Sequence, residues 1–345
     1  MNFIELAFEE ALFAIGLSFP NPAVGAVVVK DGAVVGRGHT QVVHGPHAEV
    51  MALRDAGDEA QGATLYVTLE PCCHFGRTPP CTNAIIAAGI RKVFFAHRDP
   101  NPRVFGKSEK VLSEAGIDSV YVEPPEEFSS FYEAYDYFVR NDRTFVECKI
   151  AETADGFIAR SNGSPVRITG LAADEWTARW RRSAEYILVG GGTANSDNPH
   201  LTVRGVVGNS PHRAVFCGNR KLLANLHLFE NPSDKTIVFS RSPQGEISSV
   251  ADVRRLTSDD FDENWEKILD DFSRMGVHRL VVEPGRTLAQ KILKSGKWNR
   301  FYVIRSSQKM QNGLAWRTGI EPEFCQAGNL GEDSLLLARN RKLDF

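Results

Sequence analysis

His47 and Glu49 stand two residues apart in HAEV, and Cys72 and Cys81 bracket the run CCHFGRTPPC. A zinc ion that activates water needs three protein ligands and one open position, and one imidazole with two thiolates is a donor set that zinc accepts. His47, Cys72 and Cys81 supply the three. Glu49 is then a carboxylate beside the ligands without being one of them, placed as a zinc deaminase needs to carry a proton from water to the departing nitrogen. The constellation points to hydrolytic deamination.

The spacing narrows this reading. A general nucleobase deaminase has two residues between its cysteines, whereas the segment Cys73 to Pro80 intervenes here. Cys73 and His74 are further donors within that insert. Adjacent residues point apart, which favours Cys72 with Cys81 as the pair, and His74 is expected to face the substrate. A closed structural zinc site would require a fourth ligand from Cys73, His74 or His44, and would leave Glu49 without a purpose.

A second constellation lies further on. The run YILVGGGT at 186–193 reads as a strand opening into a Gly-rich loop, where backbone can approach a phosphate. It lacks the dinucleotide spacing, and a plain turn explains it equally well. Cys148, Cys217 and Cys325 are scattered and are expected to be packing residues.

These residues need elements to hold them. Phe3, Leu6, Ala7, Ala11, Leu12 and Ile15 recur at helical spacing, and Gly16 helps to end that helix. Ala23 to Val29 and Ala33 to Val35 form a hairpin around Asp31 and Gly32. Pro46 and Pro80 each start a helix, so both ligand segments are expected at helix beginnings. Strands at 64–69, 92–96 and 119–122 and a helix at 107–115 complete an α/β sandwich. A helix over 128–138 precedes a boundary near residue 143. Strands at 144–151, 186–189, 214–217, 236–239, 279–282 and 301–304 alternate with helices at 172–182, 263–275 and 288–295, which predicts a second α/β domain.

Composition sets outer bounds. Forty basic and 43 acidic residues leave a net charge of -3, too balanced for a nucleic-acid footprint or an anionic membrane surface. A small substrate is expected. No apolar run approaches a membrane span, and the acidic start MNFIELAFEE lacks the basic region of a signal peptide. The cytoplasm is the expected compartment, where six cysteines are free for metal or packing rather than disulfides.

PNPAVGAVVVKDG at 20–32, GPHAEVMAL at 45–53, GATLYVTLEPCCHFGRTPPC at 62–81, AAGI at 87–90 and DPNPRVFGK at 99–107 together resemble one family. It is the bifunctional riboflavin-biosynthesis deaminase-reductase, called RibD or RibG in bacteria. The insert ending in GRTPPC is particular to it. ECKIAETADG at 147–156 and ILVGGGTANSDNPHLTVR at 187–204 resemble its reductase half.

The resemblance implies a cytidine-deaminase-like α/β/α sandwich at 1–143 and a dihydrofolate-reductase-like α/β domain at 144–345. It implies zinc and NADPH as cofactors and a phosphorylated pyrimidine as substrate. Water activated at the zinc would replace the amino group of a diaminopyrimidinone ribosylamino phosphate, and NADPH would then reduce the ribosyl group to ribityl. Asn21, His74, Arg77 and Asn101 are similar to substrate-contacting positions of the first site; the two asparagines are also ordinary turn residues. Thr193 and Asp197 resemble NADP contacts, and Arg181, Leu201, Arg204 and Glu283 resemble substrate contacts of the second site. A homo-oligomer is expected. The chain departs from the family at Pro165 and Arg167, usually serine and tryptophan, and at Pro284, usually glycine.

Overall fold

A computed structural model describes residues 2–340 and 343, except Arg77, Pro232, Thr318 and Ile320. The chain divides into two compact units, the first of Met1–Arg143 with Val207–Asn209 and the second of Thr144–Val206 with Ser210–Phe345.

The first unit opens with α1 (Phe3–Ala14), whose free amides at Ile4 and Glu5 donate to the Asn2 side chain. Its buried stripe is Ile4, Ala7, Phe8, Ala11 and Ala14. β1 (Gly25–Lys30) and β2 (Ala33–His39) form an antiparallel hairpin. Asp31 at φ 50° and Gly32 at φ 81° both take left-handed geometry, the twist-matching turn that an Asp-Gly pair favours.

α2 (Ala48–Ala56) follows, then β3 (Thr64–Val67), α3 (Cys81–Ala87), β4 (Lys92–Phe95), α4 (Lys107–Glu114), β5 (Asp118–Tyr121) and α5 (Glu133–Asn141). The sheet order is β2-β1-β3-β4-β5, antiparallel at β2, β1 and β3 and parallel from β3 to β5. Gly36 and Gly38 of β2 let α2 lie close: a Cβ at Gly38 would stand 2.4 Å from the Ala52 nitrogen and 2.6 Å from the Ala48 oxygen. That contact fixes the height of α2, and with it His47 and Glu49.

The helix expected over 128–138 is two pieces, a 3-10 turn at Glu126–Phe128 and then α5. Phe128 and Phe131 pack on Phe8, with ring centroids 4.7 and 5.3 Å away. Their aromatic burial outweighs helix continuity.

The second unit contains β6 (Phe145–Glu152), β7 (Phe157–Ala159), α6 (Leu171–Arg182), β8 (Tyr186–Gly190), α7 (Gly191–Asp197), β9 (His212–Gly218), β10 (Thr236–Ser240) and β11 (Ala251–Arg255). After these come α8 (Phe261–Arg274), β12 (Arg279–Glu283), α9 (Arg286–Ser295), β13 (Arg300–Arg305), β14 (Leu314–Ala315), β15 (Cys325–Leu330) and β16 (Asp333–Arg339). The large sheet runs β11-β10-β9-β8-β12-β6-β13-β16-β15. Strands β11 to β13 in that order are parallel, and β16 and β15 add antiparallel. From β8 the chain passes to β9 on one side, whereas from β12, the next strand in the sheet, it passes beyond β6 to β13 on the other. In an open parallel sheet this arrangement opens a crevice at the carboxyl ends of the strands.

Two expectations change here. The glycines of YILVGGGT are not a loop: Gly190 ends β8, and Gly191 and Gly192 are the first turn of α7. A Cβ on Gly191 would stand 2.7 Å from the Cys217 Cβ, so close packing of α7 on β9 is the reason for that glycine. Cys148 and Cys217 are buried, but Cys325 is exposed on the edge strand β15, so it is not a packing residue.

Candidate active sites

In the first unit, His47 is the N-cap of α2 and Cys81 is the first residue of α3. Cys72 lies in the loop after β3, where its sulfur accepts a hydrogen bond from the Cys81 backbone N–H at 3.2 Å. The His47 Nδ1 is 3.2 Å from the Cys81 sulfur and 3.6 Å from the Cys72 sulfur. The donor atoms of all three lie within 4.8 Å of one another. A tetrahedral centre with ordinary Zn–N and Zn–S bonds sets nitrogen and sulfur roughly 3.5 Å apart, so these residues fit zinc.

Thr78 Oγ1 lies 3.1 Å from His47 Nε2. Holding the far ring nitrogen turns Nδ1 toward the sulfurs, as partners of metal-ligating histidines do. The Cys72 thiol is held down to about 4, first by a hydrogen bond from the Cys81 thiol and also by His47. Cys81 is pushed up by the same bond and by burial. Cys73 points elsewhere, its sulfur 3.7 Å from the Arg103 carbonyl oxygen, and it is raised by burial.

Glu49 sits in the first turn of α2, 3% exposed. Burial is the main cause of its raised pKa, and Cys72 adds to it. A carboxylate that holds a proton more readily than usual is suited to receive and return one.

His74 has a buried Nδ1 with no hydrogen-bond partner among the described residues. A buried unpaired ring nitrogen is costly unless a ligand meets it. Asn101 makes turn bonds: its N–H donates to Asp99 Oδ1 at 2.9 Å, and its Oδ1 accepts from Arg103 at 3.0 Å. Asn21 donates its backbone N–H to the Ser18 carbonyl at 2.9 Å. Arg77 lies outside the described residues.

In the second unit a cleft of about 1050 Å³ opens at the carboxyl ends of β8, β9 and β12. Its wall includes Thr193, Asp197 and Glu283. Arg220, Arg286 and Lys291 add positive charge to it, which suits the phosphates of a dinucleotide. Glu283 accepts from Arg181 Nε at 2.6 Å and from Lys149 Nζ at 3.2 Å. Burial alone would raise Glu283, yet Lys149 and Arg181 hold it down to about 2.

Leu201 is 2% exposed with φ 56° and belongs to the core cluster that includes Trp180 and Val215, while Arg204 is exposed. Of the departures, Arg167 pairs with Asp174 at 2.6 Å on the cleft wall. The Pro165 carbonyl accepts from Arg160 at 3.0 Å. Pro284 falls between the end of β12 and the N-cap Gly285 of α9, outside the strand ladder, where a missing N–H is tolerated.

Sequence reasoning passed over Thr78, Lys149 and Arg220. Each is an ordinary polar residue, and only folding puts it beside the chemistry.

Comparison with known proteins follows the same division. Residues 1–97 match the model of the cytidine and deoxycytidylate deaminase zinc-binding region, and residues 144–306 match that of the RibD C-terminal domain. The riboflavin biosynthesis protein RibD of Aquifex aeolicus is 38% identical over 97% of each chain. The chain belongs to the RibD family.

Among solved structures, a diaminohydroxyphosphoribosylaminopyrimidine deaminase/5-amino-6-(5-phosphoribosylamino)uracil reductase from Thermotoga maritima superposes with TM-score 0.81 at 32% identity, covering 98% of this chain and 97% of that one. Acinetobacter baumannii RibD, form 1, gives TM-score 0.80 at 29% identity over 98% and 97%. As a member of this family, the chain is a bifunctional deaminase and reductase of riboflavin biosynthesis, with a cytidine-deaminase-like unit and a reductase unit, both α/β. Its cofactors are zinc and NADPH, and it acts on a small phosphorylated pyrimidine. Among the described residues no helix is long and apolar enough to cross a membrane.

Proposed function

We propose that residues 1–143 deaminate the diaminopyrimidinone ribosylamino phosphate at the His47, Cys72 and Cys81 centre, and that residues 144–345 reduce the deaminated product. The observation that carries the reading is the convergence of three zinc-type donors beside one buried non-ligand carboxylate. Zinc, when bound, supplies a Lewis acid that makes water acidic enough to attack at neutral pH. Glu49 takes a proton from that water as it adds to the amino-bearing ring carbon. It returns the proton to the nitrogen as the C–N bond breaks and ammonia leaves. His74, with its orphan buried nitrogen, meets the pyrimidine edge, and Asn21, Arg77 and Asn101 are the further residues that bind substrate.

In the second unit NADPH supplies the hydride that reduces the sugar carbon bonded to nitrogen. Thr193 and Asp197, at the start and end of α7, line the cofactor side of the cleft. Glu283 orients Lys149 and Arg181 toward the phosphorylated sugar, with Leu201 and Arg204 on the segment after α7. The enzyme works in the cytoplasm as a homo-oligomer. Incubating purified protein with the diaminopyrimidinone substrate, with and without NADPH, followed by mass analysis, tests both halves. Loss of one amino group without NADPH, and a further gain of two hydrogens with it, is the expected result; an unchanged substrate overturns the first assignment, and deamination without reduction overturns the second.

A further inference from the structure

The second unit carries a group of donors that neither reaction uses. His200, His227 and Glu230 each present a ligand atom, all within 4.8 Å of one another. His227 and Glu230 flank one 3-10 turn (His227–Phe229), in which side chains three residues apart eclipse. His227 Nδ1 and Glu230 Oε1 are accordingly 2.6 Å apart.

His200 reaches them from the segment after α7. Its ring centroid is 3.8 Å from that of His227, with the rings 18° from parallel. The approach is built into the backbone. Asn198 and Leu201 on either side have φ of 41° and 56°, and Leu201 anchors its side chain in the core while His200 stays exposed. The Asn198 side chain accepts from the His227 backbone N–H at 2.8 Å, tying the turn to the segment that bears His200.

We propose that His200, His227 and Glu230 form a second divalent transition-metal site, separate from the deaminase centre. Two imidazoles and one carboxylate suit zinc or nickel, whereas magnesium and calcium prefer all-oxygen shells. Chelation requires the His200 ring to turn from its face-to-face contact with His227 to edge-on toward the ion. Exposed His200 can make that rotation without moving backbone, and solvent fills the remaining positions. A bound ion straps the 198–201 segment to the 227–230 turn.

The test uses untagged full-length protein carrying its deaminase zinc, titrated with nickel chloride by calorimetry. The expected result is one nickel bound per chain with the zinc content unchanged. Affinity should fall about tenfold or more in His200→Gln and in His227→Ala, and by less in Glu230→Gln. Saturating nickel should raise the melting temperature of the starting protein by a few degrees, about 5 °C, and leave that of His200→Gln unmoved. His200→Gln preserves size and polarity at an exposed position, so it decides the matter if His227→Ala does not fold, with circular dichroism as the check. Absence of saturable nickel binding, equal binding in His200→Gln, or heat accompanied by release of zinc would each overturn the proposal.

Discussion

At the residue scale, the proposed deaminase centre separates holding the metal from moving the proton. Glu49 is buried in the first turn of α2, beside the three proposed ligands, so Glu49→Gln should lower ammonia release by about 10²- to 10⁴-fold, the range of general acid-base catalysis. Elemental analysis should still find zinc in that variant. Thr78 meets His47 at the ring nitrogen far from the sulfurs. Thr78→Val frees the far ring nitrogen, and competition with a chelator should show zinc affinity lower by about tenfold, with Thr78→Ser retaining it.

At the element scale, the glycines of β2 decide where α2 lies. Alanine at position 38 would drive its Cβ into the α2 backbone, where neighbours stand at 2.4 and 2.6 Å. Backbone cannot yield as a flexible side chain does, so Gly38→Ala should cost about 1–3 kcal/mol or more in urea unfolding. It should also weaken zinc binding, because His47 is the N-cap of the displaced helix. Gly32→Ala is a useful contrast. Its φ of 81° strains any side chain, but no heavy atom lies within 4 Å of the added Cβ. That cost should be about 1 kcal/mol and leave zinc affinity alone.

At the scale of the whole molecule, two activities with different cofactors make separable predictions. Stripping zinc with a chelator should abolish ammonia release while NADPH oxidation with deaminated substrate continues. Acid stability is a second global property. Glu283 titrates at about 2 in the folded protein against an ordinary carboxylate near 4.5 when unfolded, a difference worth about 3 kcal/mol. Because its folded pKa is lowered, the contribution is fully present above about pH 4.5 and is lost as pH falls toward 2. Thermal melts of Glu283→Gln across that window should therefore show a shallower acid decline than the starting protein, from a lower stability at neutral pH.

The sequence by itself named three donors that the fold brings together and most of the elements around them. The donors His47, Cys72 and Cys81 lie on short segments whose prolines and periodicity mark the helix starts, so local chemistry suffices to name them. It also revealed the Asp31-Gly32 turn, where two residues carry all the backbone information. Only tertiary structure decided the rest. The glycines at 190–192 look like a loop in sequence, but the closeness of β9 makes Gly191 a packing residue. The exposed edge strand holding Cys325 has no buried face to write an alternating pattern. Lys149 and Glu283 are 134 residues apart, and Arg181, Thr78 and His200 likewise gain partners only through folding. Side chains distant in sequence leave no periodic mark of their meeting, because the forces that pair them act only after the sheets have formed.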